Sequence, residues 1–269
     1  MSHISVSDEF LLWSQMCVLW SVSSYAIAPD PLPEDRDNSN FAWRTWRISL
    51  PIRIFGTALL SYGMTRSIVL SGWLTTITAI HPWIRLRSPL KWTAEIEVLV
   101  LISNSLFMLA FVRHFHLQSH TFVPAFLSTE HLCATSIVGA TVLFVFRGGT
   151  YVVRGCLRKT GTLPHIAAQN TGQAEKDQID VMEINRGRLI GNLERLILTI
   201  VVAAGSYAAL AFLVAAKGLV RSEGLQKRDF AEYFLVGSLS SVLVALCSGV
   251  IIRYTLLTLW PELLSLQMQ

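Results

Sequence analysis

The sequence predicts an all-α fold: a polytopic membrane helix bundle of about six transmembrane helices, with five to seven compatible with the pattern. Three observations predict it. Of 269 residues, 52% are hydrophobic and only 15% charged, against about 25% charged in soluble domains, which leaves too little polar cover for a water-facing surface. Apolar runs of about 20 residues recur, the length that crosses a hydrocarbon core of about 30 Å. Lys, Arg and Trp gather at the ends of those runs, where lipid headgroups lie. The net charge of +4 is small and scattered, so it points to the lipid bilayer as the partner and not to nucleic acid.

Residues 1–146 are expected to form an N-terminal membrane region of about four spans. The first run, 10–28, is preceded by Asp8 and Glu9 with no Lys or Arg, so it reads as an uncleaved helix and not a secretory signal. A Pro-punctuated loop leads to Trp43-Arg44-Thr45-Trp46-Arg47, the pattern of an interfacial helix near 41–48. Run 50–80 is too long for one ordinary span and contains Arg53 and Arg66. It fits one tilted helix with Arg66 turned into the bundle, or a re-entrant piece followed by a span; the single helix is preferred. Runs 96–112 and 127–146 supply the third and fourth spans.

Residues 147–195 read as a basic cytoplasmic loop, with a short amphipathic helix near 177–184. Residues 196–269 then form a C-terminal transmembrane hairpin, spans 196–216 and 234–252, and a short tail. Counted on six spans, twelve Lys and Arg fall on one side and nine on the other. The positive-inside rule then places both termini in the cytoplasm, and a hairpin within 50–80 would move the N-terminus outside.

The candidate structural or functional charges are Arg66, Arg147, Arg154, Arg188, Glu194, Arg195, Lys217, Arg221, Glu232 and Arg253. If 196–216 is one straight helix, Arg195 and Lys217 stand about 33 Å apart at 1.5 Å per residue. An antiparallel partner would then set Glu232 against Lys217 and Arg221, and Arg253 against Glu194. Gly187, Gly191 and Gly237 are the expected helix-packing positions, the first two in G-x-x-x-G spacing.

Several signals are weaker. His114, His116, His120 and His131 cluster between two spans but lack a fixed-spacing ligand motif, so a polar loop is expected and no metal. Cys17, Cys133, Cys156 and Cys247 show no C-x-x-C spacing and read as packing residues. No P-loop, dinucleotide fingerprint or nucleophile elbow occurs, and no cofactor is expected.

Residues 147–260 carry Arg147-Gly148-Gly149, Gly161-Thr162-Leu163-Pro164, Gly187-Arg188-Leu189-Ile190-Gly191, Leu193-Glu194-Arg195, Ala215-Ala216-Lys217 and Ala231-Glu232-Tyr233-Phe234. This stretch resembles an uncharacterised bacterial inner-membrane family, a domain of unknown function. The first 130 or so residues carry none of the resemblance, including the His- and Asp-bearing first helix of such proteins. The resemblance implies a bacterial inner-membrane location and no particular activity.

For function, the sequence favours a non-enzymatic membrane anchor or assembly component, meeting a protein partner or a second copy at 147–195. A small transporter or channel is the alternative, using Arg66, Ser103, Asn104 and the Ser238, Ser240 and Ser241 cluster. A membrane enzyme acting on lipid-linked substrates comes third, with Glu194 as acid or base and Arg188 or Arg195 on phosphate.

Overall fold

A computed structural model of the chain describes residues 7–27, 40–87, 92–120, 128–162, 181–220, 222, 226 and 228–265. Every regular element in them is helical: α1 (Asp8–Ser21), α2 (Asn40–Thr65), α3 (Ile68–Arg87), α4 (Thr93–His114), α5 (Thr129–Leu143), α6 (Gly149–Thr160), α7 (Val181–Ala203), α8 (Tyr207–Val220), α9 (Arg228–Leu259) and α10 (Pro261–Ser265). Single π-helical turns, Val22–Ala26 and Phe144–Gly148, extend α1 and join α5 to α6. Thr93–His114, Thr129–Thr160 and Phe230–Leu259 are long and apolar enough to cross a membrane, which makes this a membrane protein.

Helix starts follow local rules. Ser7 caps α1, its side chain accepting from the Phe10 amide, and Ser128 does the same for α5 through His131. Asp8 and Glu9 sit in the first turn of α1 and Glu130 in that of α5, where the helix dipole favours anions. Outside, large apolar side chains such as Phe55, Ile68, Phe212 and Tyr254 are exposed, as lipid-facing surfaces require.

The structure corrects four expectations. Run 50–80 is two helices: α2 ends at Thr65, Arg66 turns the chain at φ 52°, and α3 begins at Ile68. Arg66 is exposed at this turn and is not a buried mid-membrane charge. Residues 41–48 are the first turns of α2 and not a separate interfacial helix. The 147–195 segment is largely helix, since 149–160 and 181–195 lie in α6 and α7; residues 163–180 are outside the described part. Finally, 196–216 breaks at Ala204-Gly205-Ser206, with Gly205 at φ 76°. The chain then returns as α8, so Lys217 lies beside Glu194 instead of about one membrane thickness away.

Two ends of the bundle can be told apart. One gathers the start of α1, the α2–α3 turn, the end of α4, the start of α5 and the end of α9. There His116 Nδ1 is 2.8 Å from Glu9 Oε1, the His120 amide donates to the Met64 carbonyl, and His131 stacks on Trp260. The other gathers the ends of α1, α3, α6 and α8 with the starts of α4, α7 and α9. We call them the histidine end and the basic end. The four histidines go to separate partners and do not converge.

Candidate functional site

Three polar assemblies tie the helices together, each built from side chains that sequence alone leaves far apart. The most buried lies between α1, α3, α4 and α6. Arg85 Nε donates to Glu97 Oε2 at 2.8 Å and its Nη2 to Oε1 at 2.6 Å, a two-pronged pairing that matches the planar guanidinium to the carboxylate. Tyr25 donates to Glu97 Oε1 at 2.8 Å, and His81 Nε2 lies 3.2 Å from Oε2. The Tyr151 ring stacks on the Arg85 guanidinium at 4.0 Å, and Trp20 faces His81 at 5.4 Å. Glu97 is 1% exposed and His81 0%. Tyr25 reaches this point from the π-helical turn that ends α1.

The second assembly holds α7 to the π-helical turn between α5 and α6. Arg195, 3% exposed, donates through Nε to the Val145 carbonyl at 3.2 Å. Its Nη2 donates to Thr150 Oγ1 at 2.8 Å and to Asn192 Oδ1, and Thr150 also donates to Asn192. Gly149 makes room for this guanidinium: a Cβ there would lie 3.1 Å from Arg195 Nε. Arg195→Lys is expected to lower stability by about 1–3 kcal/mol, since one ammonium cannot serve acceptors on three sides. Thr150→Val should cost less, because Asn192 still accepts. Melting midpoints of the two variants in detergent would check the order.

The third assembly is a cleft. The α7–α8 hairpin leans on α9, and the three helices enclose a cavity of about 560 Å³. Ile190, Ile197, Leu213 and Leu239 contribute to apolar walls, and Glu194 and Lys217 form an ion pair on its lining. Lys217 also lies 5.5 Å from the Phe234 ring centroid. Ser238 and Ser241 are on the α9 wall. The hairpin's turn is held from α9: Arg253 Nη1 donates to the Ala203 carbonyl at 3.2 Å, and the guanidinium fills the space a Cβ on Gly205 would need. Helix-ending carbonyls within an apolar layer need such a donor.

The predicted charges therefore scatter into different roles. Glu194 pairs with Lys217, not with Arg253, and Glu232 pairs with Arg228 at 2.9 Å, not with Lys217. Arg154 and Arg158 are buried on α6, and Arg147 is half-buried on the π-helical turn. The side chains of Gly187, Arg188 and Arg221 lie outside the described ones. Gly191 and Gly237 make only ordinary contacts, whereas Gly155 and Gly249 mark the close helix approaches. Sequence reasoning missed Arg85, His81 and Tyr25; Glu95, two residues before Glu97, pairs with Lys159. Arg85 and Glu97 at the two ends of one connection were the available signal.

Comparison with protein-family models, curated proteins and solved structures gives no match to this chain.

Proposed function

We propose that the chain is a six-crossing membrane protein with its basic end in the cytoplasm, acting as a non-enzymatic anchor or assembly component of a bacterial inner membrane. The supporting observation is the asymmetry of its cations. Of 22 Lys and Arg, Arg66, Arg113 and Arg253 fall at or near the histidine end and Arg53 in the middle of α2. Among the described helices, Arg44, Arg47, Arg85, Arg87, Arg154, Arg158, Lys159, Arg186, Lys217 and Arg228 stand in the turns toward the basic end. Such a bias favours the cytoplasm for that end.

The crossings are α1, α2, α3, α4, the continuous α5–α6 rod and α9. The α7–α8 hairpin enters from the basic end and turns level with Arg253, six residues or about 9 Å short of the end of α9. An α8 of 14 residues spans about 21 Å, less than a hydrocarbon core of about 30 Å. Six crossings put both termini on the histidine side, outside the cytoplasm. Alkaline phosphatase fused after residue 265 is expected to be active and a fluorescent protein there dark, with the opposite pair for an insertion at 163–180. The reverse result at the C-terminus would reject this orientation.

The anchor role rests on how the charges are used. Arg85, Arg195, Lys217 and Arg253 are tied to acceptors that fix one helix against another, which is structural work, while the basic end offers cations to anionic headgroups or an acidic partner. Native mass spectrometry of the protein drawn from membranes in mild detergent should find a stoichiometric protein partner. A bare chain would count against the role.

Transport is the second reading, supported by the Glu97 cluster, because a carboxylate inside a membrane bundle marks ion paths in other proteins. Ion flux in liposomes that is lost in Glu97→Gln would favour it.

A further inference from the structure

We propose that the cleft between the α7–α8 hairpin and α9 binds one membrane phospholipid carrying a phosphoethanolamine headgroup. The inference requires only that the chain lies in a bilayer, and does not depend on an anchoring role.

The cavity, about 560 Å³, falls in the range of about 300–1,000 Å³ usual for small-molecule sites. Its chemistry is graded along the membrane normal. Toward the centre the lining is aliphatic, with Leu198, Leu213 and Val242 among its residues, and suits an acyl chain. Toward the basic end stand Glu194 and Lys217, their side chains 29% and 28% exposed and so within reach of a headgroup.

The pair is incompletely used. Lys217 donates to Oε2 of Glu194, and among the described residues Oε1 accepts no hydrogen bond. Lys217 Nζ carries three hydrogens, of which this bond uses one. A headgroup with one anion and one hydrogen-bonding cation completes both: phosphate oxygen on the Lys217 ammonium, ethanolamine ammonium on Glu194 Oε1. A purely anionic headgroup would set its charge against Glu194 without the compensating ammonium. Choline carries the positive charge but no N–H to donate.

A second observation lies deeper. Ser241 lines the cavity, is 4% exposed, and its Oγ has no hydrogen-bond partner. Buried hydroxyls are nearly always bonded, and neighbouring Ser240 shows the usual solution, donating to the Val236 carbonyl. Ser241 is seven residues past Phe234, about 10 Å along α9. At that depth below a bound phosphate the ester carbonyls of the glycerol backbone are the acceptors a phospholipid brings.

The test uses the full-length protein, stripped of lipid in detergent and titrated with phosphatidylethanolamine, phosphatidylglycerol or phosphatidylcholine under native mass spectrometry. One phosphatidylethanolamine per chain is expected, bound about tenfold more tightly than the other two, the equivalent of one good charged contact. Val214→Trp, which fills the cleft and leaves both residues of the ion pair unsubstituted, should abolish that preference. Ser241→Ala removes the hydroxyl with almost no change in volume, and should weaken binding severalfold even if the tryptophan variant does not fold. Equal retention of all three lipids, a preference for phosphatidylglycerol, or a protein helix occupying the cleft in place of lipid would each overturn the proposal. Phosphatidylethanolamine held selectively by a chain without protein partners would sustain it while removing the anchor role.

Discussion

Glu97→Leu is expected to destabilise the protein by about 3–5 kcal/mol, because it leaves the Arg85 guanidinium buried without its counter-charge. The same carboxylate also accepts from Tyr25 and lies against His81, so three polar groups on two other helices lose their acceptor at once. None of them can turn to water: Tyr25 is 1% exposed and Arg85 8%. Glu97→Gln should cost less, since the amide oxygen still accepts. Arg85→Met combined with Glu97→Leu should cost less than Glu97→Leu alone, because the uncompensated charge is gone. Thermal melting of the wild type, both Glu97 variants, Arg85→Met and the double variant in one detergent measures this. Additive losses in the double variant would show that the two residues do not act as a pair.

How much of this was legible in the sequence depends on whether a feature is local. Helical class, membrane character and the limits of α4 follow from apolar runs with charged ends, whereas α9 runs past the expected 234–252 at both ends, from Arg228 to Leu259. The α2–α3 turn did not, because no Gly or Pro marks it: Arg66 adopts a left-handed φ that sequence assigns to Gly or Asn. The α7–α8 break carried a signal, Gly205-Ser206, but an apolar run on either side concealed it. That error propagated: a straight helix puts Lys217 about 33 Å from Arg195, so its pairing with Glu194 could not be foreseen. The Arg85–Glu97 contact was hidden for a different reason. Both flank a connection and read as headgroup anchors, and only the rotation of α3 and α4 about their axes turns them inward. The overturned expectations share one cause: they concern where a helix stops or which way it faces, and neither is written in a run of apolar residues.

Glycine shows the same division, and it gives the second large effect. The G-x-x-x-G spacing drew attention to Gly187 and Gly191, yet an added Cβ at Gly191 would meet only the Arg195 tip at 3.7 Å, and one at Gly237 only Leu157 methyls at 3.8 Å. At Gly155 the Cβ would lie 2.5 Å from the Ala94 backbone nitrogen, and at Gly249 2.6 Å from Val202 Cβ and 2.9 Å from the Thr199 carbonyl. Backbone and Cβ atoms cannot rotate away, so whole helices must part: α6 from α4, and α9 from α7. Gly155→Ala and Gly249→Ala are therefore expected to lose about 1–3 kcal/mol or more to overpacking, in spite of alanine's better helix propensity. Gly237→Ala should be neutral or gain up to about 1 kcal/mol from that propensity. Separation of α6 from α4 would also pull Lys159 from Glu95 and Tyr151 from Arg85, so Gly155→Ala should weaken the Glu97 cluster as well. Combined with Glu97→Leu it should then cost less than the sum of the two. Equal melting points for Gly155→Ala and Gly237→Ala would mean that α4 and α6 do not approach this closely in the membrane.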